Sequence, residues 1–229
     1  CMMAGGMIEI DTTEKGRRTG YLSTPATSNG RGIVLLFEAY GLHDDMKKVA
    51  DIYAGAGYTV LVPDLFWKKG EDVVFTYQQR KEGGDTFHEI GGFWSYLDDV
   101  DPAVAALKKH VNGPIALMGI GLGGITAYTA AAQGKADASV SFYPAMLDVS
   151  LAETFDTPWL YHSAEEDKIA KAGLYEDVRK AYANNPKVQI ESYPGAEHGF
   201  IGEARAEYDA ATAKAAHEKT LAFLNKVLG

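Results

Sequence analysis

Two weakly alternating segments, residues 7–11 and 18–23, open the apolar pattern of the chain, and turn residues at 14–16 separate them. This spacing predicts an antiparallel hairpin. Unbroken apolar runs follow at 33–37, 58–62 and 115–118, and a strand without alternation is one buried on both faces. Further strands are expected at 138–143, 158–163 and 188–193. Between the first two runs, Met46, Val49, Ile52 and Tyr53 recur at helical spacing until Gly55 and Gly57 stop them. Helices are also expected over 87–111, interrupted near Gly91-Gly92 and Asp101-Pro102, and over 125–132, 169–184 and 203–228. Residues 67–85 are irregular, charged and aromatic, which predicts a loop or short helix. Strands alternating with helices specify an α/β protein with a doubly wound, mostly parallel sheet. At 229 residues one domain, 1–229, is expected.

Composition narrows the function classes. The chain is 46% hydrophobic and 23% charged, with a mean hydropathy of −0.16, as in globular proteins. No apolar run approaches the roughly 20 residues of a membrane span, so no membrane partner is expected. A net charge of −9 argues against nucleic acid. The basic pairs Lys68-Lys69 and Arg80-Lys81 read first as solvated loop charges. The single cysteine, Cys1, allows no intrachain disulfide, and residues 1–10 lack the pattern of a signal peptide, so a cytoplasmic location is expected. A monomer or homodimer is expected.

The chemistry concentrates where run 115–118 meets Gly119-Ile120-Gly121-Leu122-Gly123-Gly124. This is the spacing of a nucleophile elbow, in which a strained strand-to-helix turn lifts one side chain over the sheet beside a helix N-terminus. The nucleophile position is Gly121, which has no side chain. Acyl-transfer sites on this architecture take nucleophile, acid and histidine in that chain order from successive strand ends. Asp167 follows strand 158–163, and His198 follows strand 188–193. Asp167 can therefore hold one imidazole nitrogen while the other faces the elbow.

Gly119, Gly121 and Gly124 also match a dinucleotide fingerprint. That strand is the fourth or fifth rather than the first, however, and Asp137 is a poor match for the ribose acid, so no nucleotide cofactor is expected. His43, His88, His110, His162 and His217 lack ligand spacing, so no metal is expected either.

Residues 37–41 (FEAYG), 57–65 (GYTVLVPDL), 119–124 (GIGLGG) and 196–200 (AEHGF) together resemble the dienelactone hydrolase family over residues 32–200. The resemblance implies an α/β-hydrolase fold and cofactor-independent hydrolysis of small lactones and esters by Cys, His and Asp. His198 and Asp167 match the family's histidine and aspartate. Glu38 matches a glutamate that governs the resting thiol, and the amides of Leu122 and Ala39 fall at the oxyanion hole. Gly121 departs from the family at the cysteine. Of the arginines that hold the substrate carboxylate, Arg80 is a possible counterpart and Arg205 a loose one. Tyr40, Phe66 and Trp67, with Phe93, Trp94 and Tyr143, are candidates to wall a pocket for a small-molecule substrate.

Three readings follow for an elbow without its nucleophile. His198 could act as general base on water or on an enolisable carbonyl compound, which would also suit a lyase, isomerase or cyclase. Gly121 could stand where an original Cys or Ser has been replaced. The chain could also be a binding descendant that keeps the pocket and not the turnover.

Overall fold

The computed structural model describes residues 4–229; Cys1 lies outside them. Its elements fall into two compact units, 1–116 and 117–229.

In the first unit, β1 (Ala4–Thr13) and β2 (Gly16–Thr24) form the expected antiparallel hairpin, with Met7 opposite Tyr21. Strand β2 pairs antiparallel with β4 (Thr59–Pro63), and β4 pairs parallel with β3 (Gly32–Leu36), giving the order β1-β2-β4-β3. Every residue of β3 and β4 is buried, as their unbroken apolar runs require. Helix α1 (Asp44–Gly55) connects them and packs Met46, Val49 and Tyr53 inward.

The segment expected as one interrupted helix is three: α2 (Arg80–Glu89), α3 (Gly92–Asp98) and α4 (Val100–Leu107). Gly91, at φ 109°, makes the first break. The second falls at Asp99, two residues before the expected place, and Pro102 sits in the first turn of α4, where a missing N–H costs no helix bond. Asp99 is buried because Arg18 Nε (2.8 Å) and Trp67 Nε1 (2.9 Å) both donate to its carboxylate.

Strand β5 (Ile115–Ile120) begins at the end of the first unit and runs into the second. There the order is β5-β6-β7-β8, with β6 (Ala138–Phe142), β7 (Trp159–Ala164) and β8 (Val188–Tyr193) parallel, Ser139 beside Trp159 and Trp159 beside Val188. Helix α5 (Leu122–Ala132) follows β5 and packs on β6.

Two helices are shorter than their apolar pattern predicts. Helix α6 (Leu174–Ala181) starts late because the Asp167 carboxylate draws the amides of Ile169 and Ala170 into a turn. Helix α7 (Ala210–Val227) starts where Asp209 caps it by accepting from Thr212 N at 2.7 Å. Among the described residues no helix is long and apolar enough to cross a membrane.

Candidate functional site

The elbow is built from close backbone contacts. Gly121 lies between β5 and α5 at φ 54° and ψ −113°, a conformation that strains any residue with a Cβ. Its N–H donates to Phe142 O (3.0 Å) at the end of β6, and its carbonyl accepts from Gly124 N (3.0 Å) and Ile125 N (3.2 Å). A Cβ on Gly119 would stand 1.9 Å from the Gly123 carbonyl oxygen, so the first glycine of the motif is what lets strand and helix meet. Ser141 Oγ donates to Gly124 O (2.8 Å) and accepts from Trp159 Nε1 (3.1 Å), tying the turn to β6 and β7. The turn thus has the strained shape of a nucleophile elbow, with glycine at position 121. Leu122 and Gly123 head α5, where the first amides have no intrahelical acceptor and face outward as donors.

The acid and the histidine are brought together by two loops bonded to each other. Glu165 N donates to Tyr193 O (3.3 Å), and Glu166 N to Ala196 O (2.9 Å). The β7 loop is therefore clamped along the β8 loop. His198 Nδ1 then meets Asp167 Oδ2 at 2.8 Å, and the two side chains are 6% and 7% exposed. A carboxylate only accepts, so Nδ1 carries the proton and the neutral ring has its lone pair on Nε2.

Burial on its own would raise the Asp167 carboxyl. The hydrogen bond and charge of His198, with the amides of Ala170 and Ile169, outweigh burial and hold it below the usual carboxylate range. Asp167 is therefore ionised and ready to stabilise an imidazolium.

Tyr143 and Arg205 flank this pair. Tyr143, just past β6, adopts φ 35°, an outlier for a bulky residue. Its N–H is fixed to His162 O (2.8 Å), and its ring centroid lies 4.7 Å from that of His198 and 5.2 Å from that of Phe200. The Arg205 side chain is buried over Gly199, where a Cβ would come within 2.0 Å of Nε. Sequence pattern listed Tyr143 only among aromatics and gave Arg205 little weight, because neither a positive φ nor a close backbone approach has a sequence signature here.

The other predicted residues belong to the first unit. Glu38, half-buried past β3, offers its carbonyl to Tyr96 Oη at 2.9 Å. Ala39 lies so close under α2 that a Cβ on Gly83 would stand 2.0 Å from its oxygen. Tyr40 packs edge-on to Tyr77 at 4.9 Å. Phe66 is fully buried against Phe37 and Phe75. Trp67 turns its indole N–H to Asp99 and lies under the Arg18 guanidinium at 4.6 Å, which makes it part of a buried polar brace. Arg80 is exposed at the start of α2. Among the described residues no three His, Cys, Asp or Glu side chains are grouped as metal ligands.

With this geometry in hand, the relatives are informative. The sequence pattern of the dienelactone hydrolase family matches residues 19–228. The chain is 30% identical to an Azospirillum brasilense protein provisionally named a carboxymethylenebutenolidase, covering 97% of this chain and 99% of that one. It is 27% identical to a carboxymethylenebutenolidase of a Pseudomonas species, covering 96% and 94%. Among solved structures, the dienelactone hydrolase of Anabaena variabilis superimposes with a TM-score of 0.73 at 17% identity, covering 99% of each chain. A dienelactone hydrolase-like promiscuous phosphotriesterase from metagenomic libraries does so with a TM-score of 0.80 at 20% identity, covering 99% and 100%. The mostly parallel sheet and its helices are those of an α/β-hydrolase, and the chain belongs to the dienelactone hydrolase family.

Proposed function

We propose that the protein hydrolyses a small lactone or ester without a covalent intermediate, with His198 as general base on a water molecule. The observation that carries this reading is the buried 2.8 Å contact of His198 Nδ1 with Asp167. It orients the ring, fixes its tautomer and supplies a counter-charge for the imidazolium formed when water is deprotonated.

In the proposed step, water loses a proton to His198 Nε2 and its oxygen bonds to the acyl carbon. The negative charge that develops on the carbonyl oxygen is met by the Leu122 amide at the head of α5. The imidazolium then returns the proton to the leaving oxygen as the acyl–oxygen bond breaks. General-base catalysis and one oxyanion donor each contribute about 10²-fold or more, which is enough for an enzyme. Glycine at 121 supports this reading because it relieves the elbow's strain while leaving the amide donor behind it in place.

The lactone class is suggested by the carboxymethylenebutenolidase names of the relatives.

Turnover of a lactone and aryl-ester panel tests the reading. The chain is expected to hydrolyse at least one member with no covalent adduct by intact mass, and His198→Ala is expected to lose that activity. Activity that appears only in Gly121→Cys, together with an acylated protein, would replace this reading with a hydrolase deprived of its nucleophile.

A further inference from the structure

Tyr143 is 2% exposed, its backbone sits at φ 35°, and it stands directly before Pro144, a position that favours extended backbone. A conformation disfavoured on both counts persists only where its surroundings over-determine it, and residues held this way cluster at working parts of proteins.

What over-determines Tyr143 is the peptide group that enters it. The oxygen of that group, Phe142 O, accepts from Gly121 N at 3.0 Å, and its N–H, on Tyr143, donates to His162 O at 2.8 Å. A single peptide plane is thus pinned to the elbow on one side and to β7 on the other. The plane cannot turn, so the strain falls on the φ of Tyr143.

Glycine would occupy this position without strain, as it does at positive φ in Gly121 and Gly199 of the same unit. What glycine would lack is the ring. The Tyr143 ring lies 4.7 Å from that of His198 between centroids, tilted at 57°, and 5.2 Å from that of Phe200. Phe200 is fully buried and packs in turn on Tyr193 at 5.2 Å, so the Tyr143 ring is backed by the core while it lies against the imidazole.

His198 needs such a second contact. Its hydrogen bond to Asp167 fixes Nδ1, but a ring held at one atom can still swing about that bond. A neighbouring ring packed against it blocks the swing and settles where Nε2 points, and a misaimed base loses rate steeply.

We infer that Tyr143 is a positioning residue for His198: its backbone, pinned between the elbow and β7, holds its ring against the imidazole and fixes the direction of Nε2 in the free protein. The kinetic consequence rests on the reading of His198 as general base, whereas the positioning itself does not.

Proton NMR without substrate tests the positioning. The buried His198 Nδ1–H is expected as a sharp low-field resonance, assigned by its loss in His198→Ala, and Overhauser contacts are expected between the Tyr143 and His198 rings. Tyr143→Phe keeps the ring and is expected to keep the resonance. Tyr143→Leu keeps bulk at the strained backbone without a ring, and is expected to broaden the resonance at least about twofold or lose it to exchange. On a turned-over ester, Tyr143→Leu is expected to lower kcat about 10- to 10²-fold with KM changed less than about threefold, and Tyr143→Phe to restore kcat to within about threefold. A chain without the resonance or the Overhauser contact, or a folded Tyr143→Leu whose resonance is as sharp as the chain's, would overturn the assignment. If Tyr143→Leu fails to fold, Tyr143→Gly removes the ring while relieving φ and carries the same expectation. The resonance is read without turnover, so failure of the hydrolysis reading and failure of this assignment are separate results.

Discussion

Two histidines lie buried in the second unit, one within β7 and one in the loop after β8, and their partners give them opposite properties. His162, in β7, has Tyr193 Oη 2.8 Å from Nδ1 and Thr220 Oγ1 2.8 Å from Nε2. Thr220 Oγ1 donates to Ala216 O, so its oxygen accepts from Nε2–H and Tyr193 donates to Nδ1. The ring is also stacked on Phe142, with centroids 4.4 Å apart. Burial, with the charges of His217 and Lys219, pushes its pKa well below the ordinary histidine value. Both ring nitrogens are taken up by hydroxyls, so His162 is a fixed neutral post. His198 is almost as buried, yet its partner is a carboxylate that stabilises the charged ring. Burial alone does not make a histidine a base; the charge of what holds its Nδ1–H does.

Exchanging these properties breaks the comparison in predictable ways. His198→Ala is expected to lower kcat/KM per folded molecule by about 10²- to 10⁴-fold, and also to lower the melting temperature because the buried Asp167 carboxylate loses its ring partner, checked by steady-state kinetics beside thermal melts. His162→Ala separates the two effects: it opens a cavity and strands two hydroxyls, costing about 2–5 kcal/mol in denaturant unfolding, with activity per folded molecule retained. Gly121→Cys places a Cβ at φ 54° and is expected to cost about 1–3 kcal/mol of stability, read from its unfolding midpoint.

Stability also depends on pH. Burial lowers the His217 pKa to about 4, below that of the unfolded chain. As pH falls from about 6.5 towards 4, the unfolded state binds a proton that the native state refuses. Stability is therefore complete above that window and is lost within it. In the first unit, burial pushes Asp64 up to about 6, with nearby Asp72 adding to the rise. That contribution has the opposite sign: it is full below the unfolded carboxylate value and is lost as pH rises through about 6. Melting scans across pH should show His217→Gln flattening the acid side and Asp64→Asn flattening the neutral side.

Much of this site could be read from the chain. The buried strands announced themselves as unbroken apolar runs, and the glycine spacing at 119–124 located the elbow because only glycine tolerates the approach of Gly123 O to position 119. The order of Asp167 and His198 after strands 158–163 and 188–193 anticipates that the two side chains meet. What remained hidden depends on contacts distant in sequence. The apolar pattern carries helix 169–184 too far toward its N-terminus, because it does not record that the Asp167 carboxylate claims two amides. Residue type places Trp67 with the pocket aromatics, since nothing in the sequence pairs it with Asp99, 32 residues on. The Tyr143 backbone carries a strain that the residue type gives no hint of.

The most direct test of the central claim is the pH–rate profile of kcat/KM on a turned-over ester, measured for the chain and for His198→Ala. A general base acting through water gives activity that rises through one ionisation, and a residual rate in His198→Ala that lacks that ionisation. A profile that keeps the same ionisation without the imidazole would show that the base lies elsewhere and contradict the account.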